Sequence, residues 1–341
     1  MLHAVGDLRC EEVADPAPKP GEVLVKVRAC GVCGSDLPRV FDKGTYHFPT
    51  IPGHEFAGEV TAVGTGADAD LVGRGVAVFP LIPCGKCAMC AVGAFAQCED
   101  YDYLGSRSDG AFAEYVCVPA WNLVPIPAGV SFEEAAMLEP AAVALHAVRQ
   151  GRVDAGDAVL IFGAGPIGLL AGSWARICGA AHVLLADVDP AKLDFAERLG
   201  FDLRLNPRDL DVEAWVRAIT DRGADVVIEA SGSAAAFEDG MRSARTFGRV
   251  VLMGNPAGDM RLSQQGYWAI LRKELTVRGT WNSRYGTPPK DEWALAMDYM
   301  ALGRLEVGPL ITHRVGLEEL LDALVMMRDR SAFFNKVMYV A

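Results

Sequence analysis

Between residues 22 and 118, apolar and polar residues alternate in short runs. In VLVKVRA, residues 23–29, Val23, Val25 and Val27 fall on one face of an extended chain, and Lys26 and Arg28 on the other. FAGEVTAVG (56–64), GVAVFP (75–80) and FAEYVCV (112–118) are further short strands punctuated by glycine and proline. Residues 1 to about 130 therefore read as β-rich. SFEE, residues 131–134, is a capping box with Ser131 as N-cap and Glu134 answering its backbone, so a helix is predicted through AAVALHAV.

From about residue 157 the rhythm becomes strand, helix, strand, helix. AVLIF, HVLLAD, DVVIEA and RVVLMG are buried-strand runs, and helical stretches such as DPAKLDFAERLG separate them. Asp189 before Pro190 reads as an N-cap and Gly200 as the residue just past the helix. This alternation predicts an α/β fold, a doubly wound parallel sheet with helices on both faces. After ELTVRGTW (274–281) the alternation stops. Two helical stretches, near 290–303 and 316–329, precede a last strand, KVMYV. The C-terminal piece is expected to return to the first domain. The predicted division is thus 1–145 with 282–341 as one domain, and 146–281 as the other.

A chain of 341 residues has room for two such cores. A formal net charge of -12 disfavours a nucleic-acid partner, whose phosphates need a basic footprint. The stretch AVLIFGAGPIGLLAGSWA (158–175) is uncharged, but its glycines and proline argue for strand, turn and helix, not a membrane span. The opening MLHAVGDLRCEEV has neither the basic nor the apolar region of a secretory signal, so a cytoplasmic location is expected. In that setting nine cysteines point to metals or catalysis before disulfides.

GAGPIG places Gly163, Gly165 and Gly168 in G-x-G-x-x-G spacing, with Pro166 and Ile167 between, after a strand and at the start of a helix. The glycines permit a tight turn, close approach of a pyrophosphate and close helix–strand packing. Phosphates then meet the free N–H groups of the helix N-terminus. Asp187 ends the next strand, where a carboxylate accepts ribose hydroxyls and repels a 2′-phosphate, so NAD is expected over NADP. Lys192, one helical turn on, is a candidate neighbour of the adenosine ribose.

Cys84, Cys87, Cys90 and Cys98 lie within fifteen residues, as C-x2-C-x2-C-x7-C. Four such thiolates suit a closed structural zinc site, with an iron–sulfur cluster as the rival. A second set is more dispersed. Cys30 and Cys33 lie in ACGVCGSD, and that pair alone could be a redox couple, half of a zinc clamp or two unrelated thiols. His54 and Glu55 adjoin in GHEFAGEV, and Glu139 stands inside an apolar run. Thiolate, imidazole and carboxylate are the mixed donors of a catalytic zinc that keeps one position open.

CGVCGSD, GHEFAGEV, the four-cysteine lobe, LEPAAVALHA and GAGPIG occur in the order seen in the zinc-dependent medium-chain dehydrogenases, and the chain resembles the polyol branch of that family along its whole length. The resemblance implies a GroES-like catalytic domain beside the Rossmann domain. It implies one catalytic and one structural Zn2+, with NAD as cofactor. Cys33, His54 and either Glu55 or Glu139 would hold the catalytic ion, and Cys30 would be a packed strand residue. Ser35 would hydrogen-bond the substrate oxygen and pass its proton outward as a secondary alcohol becomes a ketone. Most polyol relatives carry His at the position of Pro38, and many carry Gly at that of Asn335. A phosphorylated substrate would call on Arg39, His47 or Arg107, which flank the metal motifs.

The implied substrate is a small alcohol, a polyol or polyol phosphate, with sorbitol-, xylitol-, butanediol- and threonine-type dehydrogenation as alternatives. A zinc-free quinone reductase, a non-catalytic NAD(H)-binding sensor and a zinc-module nucleic-acid binder are the rival classes. Neither a membrane nor a nucleic-acid partner is expected. A homodimer or homotetramer is, through the edge strand ELTVRGTW.

Overall fold

The computed structural model describes residues 1–286 and 291–341. It divides into two compact units, Met1–Glu139 with Arg284–Ala341, and Pro140–Ser283.

The first unit is built on a sheet whose strands run in the order Ile311–Val315, Lys336–Val340, Glu22–Gly31, Glu55–Val63, Gly75–Val78 and Leu123–Pro125. Tyr115–Pro119 also pairs with Glu22–Gly31. The alternation read in the sequence sets the faces: Val23, Val25 and Val27 are fully buried, and the residues between them are half-buried. These valines join Phe56, Val60, Val76 and Val78 in one core, with Leu320, Leu324 and Met327 from the helix Leu320–Asp329. That helix accounts for the latter part of the stretch expected at 316–329. The C-terminal strand runs antiparallel to Glu22–Gly31, with Tyr339 opposite Cys30. Burying its apolar residues on that strand carries Lys336 into the interior, where it is 2% exposed.

Ser131 closes the predicted capping box, but the helix that follows is broken in two, Phe132–Ala136 and Leu138–Gln150. Pro140 has no N–H to give and sits in the first turn of the second piece, where none is needed. The stretch expected at 290–303 is helical over Glu292–Ala301, and its first residue lies outside the described residues.

The second unit carries a six-stranded parallel sheet in the order Arg204–Leu205, His182–Ala186, Ala158–Phe162, Ala224–Glu229, Ala244–Leu252, Thr276–Gly279. All five residues of AVLIF are buried, as both-face coverage requires. The uncharged stretch 158–175 resolves into that strand, a turn and the helix Pro166–Ile177. No helix among the described residues is long and apolar enough to cross a membrane. The doubly wound parallel sheet and the β-rich partner unit bear out the predicted fold class.

Candidate active site

Sequence and sheet register together bring the dispersed donors to one place. Gly31 ends its strand opposite Glu55. A Cβ at Gly31 would lie 2.3 Å from Glu55 Oε2, so only glycine lets that carboxylate sit there. Two residues on, the chain turns: Cys33 N–H donates to Asp36 Oδ2 at 2.9 Å, and Asp36 N–H donates to the Cys33 carbonyl at 3.0 Å. His54 precedes the strand that begins at Glu55. One ligand atom each from Cys33, His54 and Glu55 lie within 4.8 Å of one another, a span that a single ion can bridge. Glu139 is not in that triple. It is 7% exposed and accepts from the Tyr103 hydroxyl at 3.4 Å.

A network of buried charge surrounds these donors. Asp36 is fully buried, with Oδ1 3.4 Å from His54 Nδ1 and 3.0 Å from Arg39 Nη1. A proton on Nδ1 donated to Asp36 leaves Nε2 free for a metal. Arg39 Nη1 also donates to Ser35 Oγ at 3.0 Å and lies 3.3 Å from His54 Nδ1. Lys336 Nζ donates to Glu55 Oε2 at 2.5 Å and to the Val32 carbonyl at 3.2 Å. The Tyr103 ring lies 5.7 Å from the His54 ring.

These neighbours shift the titrations. Burial works against a charged His54, but Asp36 and Cys33 outweigh it and raise its pKa well above the ordinary value. Burial would raise Asp36, yet His54, Arg39 and the Cys33 amide pull it down. Lys336 is likewise raised because Glu55 and Cys33 outweigh its desolvation. Glu139 goes the other way: burial first, and then the Glu55 charge, push it up to about 7. The metal-free site thus draws protons onto its imidazole and onto Glu139, as expected of donors arranged for a cation.

Cys30 is fully buried, its thiol pushed well up by desolvation, and its S–H faces the Gly31 carbonyl at 3.7 Å. It packs in the strand and stands outside the donor triple. Arg39, a candidate for binding a substrate phosphate, is drawn inward by Asp36, its side chain 23% exposed. Arg107 is clamped between the rings of Tyr46 and Tyr101, at 4.2 and 4.3 Å. His47 Nε2 lies 3.0 Å from the Arg107 carbonyl oxygen, so these two candidates form one loop contact.

In the four-cysteine lobe, sulfur–sulfur separations are 3.5 Å for Cys87–Cys90 and Cys90–Cys98, and 3.9 Å for Cys84–Cys90 and Cys87–Cys98. A tetrahedron with zinc–sulfur bonds of about 2.3 Å has edges of about 3.8 Å, so the donors fit zinc. The Glu99 and Cys90 amides draw the Cys87 thiol down to about 6, while desolvation and the neighbouring thiols push Cys90 up to about 12. Four thiolates at this spacing need a cation to ionise together.

In the second unit, Gly163 adopts φ +102°, and a Cβ at Gly168 would lie 1.8 Å from the Gly163 carbonyl oxygen. Gly165 caps the helix with Pro166 as its first residue and Ile167 next, and an added Cβ there would meet nothing within 4 Å. The backbone is open at the point where a pyrophosphate must approach. Asp187 accepts from the Ala164 amide at 2.7 Å and the Asp189 amide at 2.9 Å, which fixes its carboxylate beside the loop. Lys192 is half-buried in the helix Pro190–Arg198.

Comparison with known proteins agrees with this chemistry. Residues 19–128 match the alcohol dehydrogenase GroES-like domain, and residues 166–301 match the zinc-binding dehydrogenase family. The chain is 36% identical to galactitol 1-phosphate 5-dehydrogenase of Escherichia coli K12 over 94% of its length and 92% of that protein's. It belongs to the zinc-dependent medium-chain dehydrogenases. It is 34% identical to sorbitol dehydrogenase of Bacillus subtilis, covering 95% of this chain and 91% of that one. For L-threonine 3-dehydrogenase of Pyrococcus furiosus the figures are 36%, 93% and 91%. The crystal structure of galactitol-1-phosphate dehydrogenase from Escherichia coli superposes with a TM-score of 0.93 at 35% identity, covering 99% and 98% of the two chains. A zinc-binding dehydrogenase from Sinorhizobium meliloti bound to NADP (TM-score 0.90, 32% identity, 100% and 98% covered) and the rspB dehydrogenase of E. coli CFT073 with NADH (0.91, 30%, 100% and 98%) are similar. The chain is therefore an oxidoreductase of the zinc-dependent alcohol dehydrogenase type.

Asp36, Tyr103 and Lys336 were not among the site residues read from sequence. Asp36 stands beside Ser35 in the first motif, and Lys336 is a lone cation in an apolar strand, which is a legible signal for a buried charge.

Two measurements check the metal assignments. Cys90→Ser is expected to lower bound zinc from two ions per chain to one and to depress Tm, read by metal analysis and calorimetry. Glu139→Gln bears on the metal-free protein. With a folded-state pKa of about 7 against an ordinary 4.5, Glu139 holds its proton more tightly folded than unfolded. The stability this contributes is full below about pH 4.5 and is lost as pH rises through about 7. Removing the group should make the metal-free chain about 1–3 kcal/mol less sensitive to that rise, seen in denaturant unfolding at about pH 5 and pH 8.

Proposed function

We propose that the chain oxidises a secondary hydroxyl of a polyol or polyol phosphate to a ketone, reversibly, with NAD as hydride acceptor. The observation that carries this reading is the convergence of Cys33, His54 and Glu55, with Ser35 linked to them through the Arg39 nitrogen that also lies 3.3 Å from His54. Cys33, His54 and Glu55 or Glu139 would hold the catalytic zinc, and the four-cysteine lobe a structural one. When bound, zinc supplies Lewis-acid polarisation of a hydroxyl oxygen, lowering its pKa.

The chain's own groups do the rest. Asp36 fixes the His54 tautomer through Nδ1. Lys336 offsets the Glu55 charge and holds one of its oxygens, which leaves Glu139 the carboxylate without a cation partner in ion-pair contact among the described residues. Either acid would then be available to hold the metal, Glu55 with its charge offset by Lys336 and Glu139 without such an offset. Ser35 Oγ accepts from Arg39, which leaves its own O–H free to serve the proton transfer. Pro38 supplies no imidazole to continue a relay. Asp187, its carboxylate set by two backbone amides, accepts ribose hydroxyls and disfavours a 2′-phosphate, which supports NAD over NADP.

The likeness to galactitol 1-phosphate, sorbitol and threonine dehydrogenases supports the alcohol class and keeps those substrates in the test. A panel of galactitol 1-phosphate, galactitol, sorbitol, xylitol, butanediol and threonine, each with NAD and NADP, is expected to show NAD-dependent oxidation of a polyol or its phosphate. That activity should vanish on chelation and return with zinc. Tight NADH binding with no turnover of any alcohol by the zinc-loaded protein would sink the proposal.

Association of subunits is part of the same reading. All four residues of the edge strand Thr276–Gly279 are exposed, and Val277 and Trp281 are 38% and 59% exposed. An open edge of this kind, with Val277 and Trp281 exposed along it, suits pairing with its copy across a two-fold axis. Val277→Pro, which removes a ladder donor, should shift a dimer or tetramer toward smaller species by light scattering.

A further inference from the structure

The three cations that flank the metal motifs are not equivalent. Arg39 is neutralised by a buried carboxylate 3.0 Å away, and its Nη1 is committed to Ser35 and Asp36. His47 is bound through both ring nitrogens, to the Pro49 carbonyl region and to the Arg107 carbonyl. Arg107 differs. Among the described residues no carboxylate makes an ion pair with it, and none does with Lys86. Both line a pocket of about 500 Å³ that Tyr46, Tyr101, Asp100 and Asp102 share.

The pocket is built to hold Arg107 still. The guanidinium lies flat between two tyrosine rings, Nη1 donates to the Tyr101 carbonyl at 3.1 Å, and Nη2 donates to the Tyr46 hydroxyl at 3.4 Å. Each terminal nitrogen keeps a second N–H for a ligand. Two ring contacts lead from the pocket toward the metal centre. Tyr101 meets Tyr103 edge-on at 6.4 Å, and Tyr103 lies 5.7 Å from the His54 ring. The size is that of a small-molecule site. The mix of lining groups suits a hydroxylated chain, with the Asp carboxylates as acceptors and the cations as donors.

We propose that this pocket receives the far end of the alcohol substrate and that Arg107 reads an oxyanion, phosphate or carboxylate, carried there. The assignment rests on the reading of the chain as an alcohol-oxidising zinc enzyme. A planar guanidinium fixed by rings offers a fork matched to either oxyanion, whereas a mobile lysine offers only charge.

The test compares zinc-loaded wild type with Arg107→Gln and Arg107→Lys on galactitol 1-phosphate, L-idonate and galactitol, with NAD. Zinc content is measured for each protein. The ratio of kcat/KM for the oxyanion-bearing alcohol to that for galactitol should fall about 10- to 100-fold in Arg107→Gln, mainly through KM, and less in Arg107→Lys. The phosphate and carboxylate arms tell which oxyanion is read. A ratio unchanged in Arg107→Gln would overturn the assignment. A second readout is independent of turnover: inorganic phosphate should raise the Tm of wild type more than that of Arg107→Gln, and equal shifts would also overturn it. Failure of wild type to oxidise any alcohol would instead remove the functional reading, while the phosphate arm still judges the pocket.

Discussion

The structure depends on keeping charge in a place where water is scarce. Asp36, His54, Glu55, Glu139 and Lys336 are all under a tenth exposed, and Arg39 is mostly covered. Burying any of them alone would cost several kcal/mol, and most are answered by a neighbour of opposite charge. Asp36 answers Arg39 and His54, and Glu55 answers Lys336. The members left over are the Cys33 thiol and Glu139, two groups that a divalent cation would satisfy.

This pairing explains why backbone detail matters so much around the site. Gly31 exists to admit one carboxylate oxygen, and the Cys33–Asp36 turn locks itself with two reciprocal bonds. The strand register then fixes Glu55 opposite Gly31. A slip of one residue would turn Glu55 to the other face of the sheet and leave Lys336 buried without a partner. Sheet geometry and metal chemistry therefore constrain each other.

Much of this was legible beforehand. The valine alternation at 23–27, the apolar AVLIF run and the Ser131 box each specify local structure through burial or capping alone, and each appears in the fold. The glycine loop and the four-cysteine lobe are short in sequence, so their chemistry survives without knowledge of the fold. The interior charge network was not legible, because its bonds join residues as far apart as Glu55 and Lys336, which are 281 positions apart. No periodicity encodes such a contact. The split of the helix at Met137 and the inward pull on Arg39 were likewise missed, since both are set by neighbours that only packing supplies.

That long separation has a consequence for how the protein matures. During synthesis Cys33, His54 and Glu55 emerge early, and the sheet that aligns two of them can pair long before the strand bearing Lys336 exists. For most of translation the Glu55 carboxylate has no lysine to hold it.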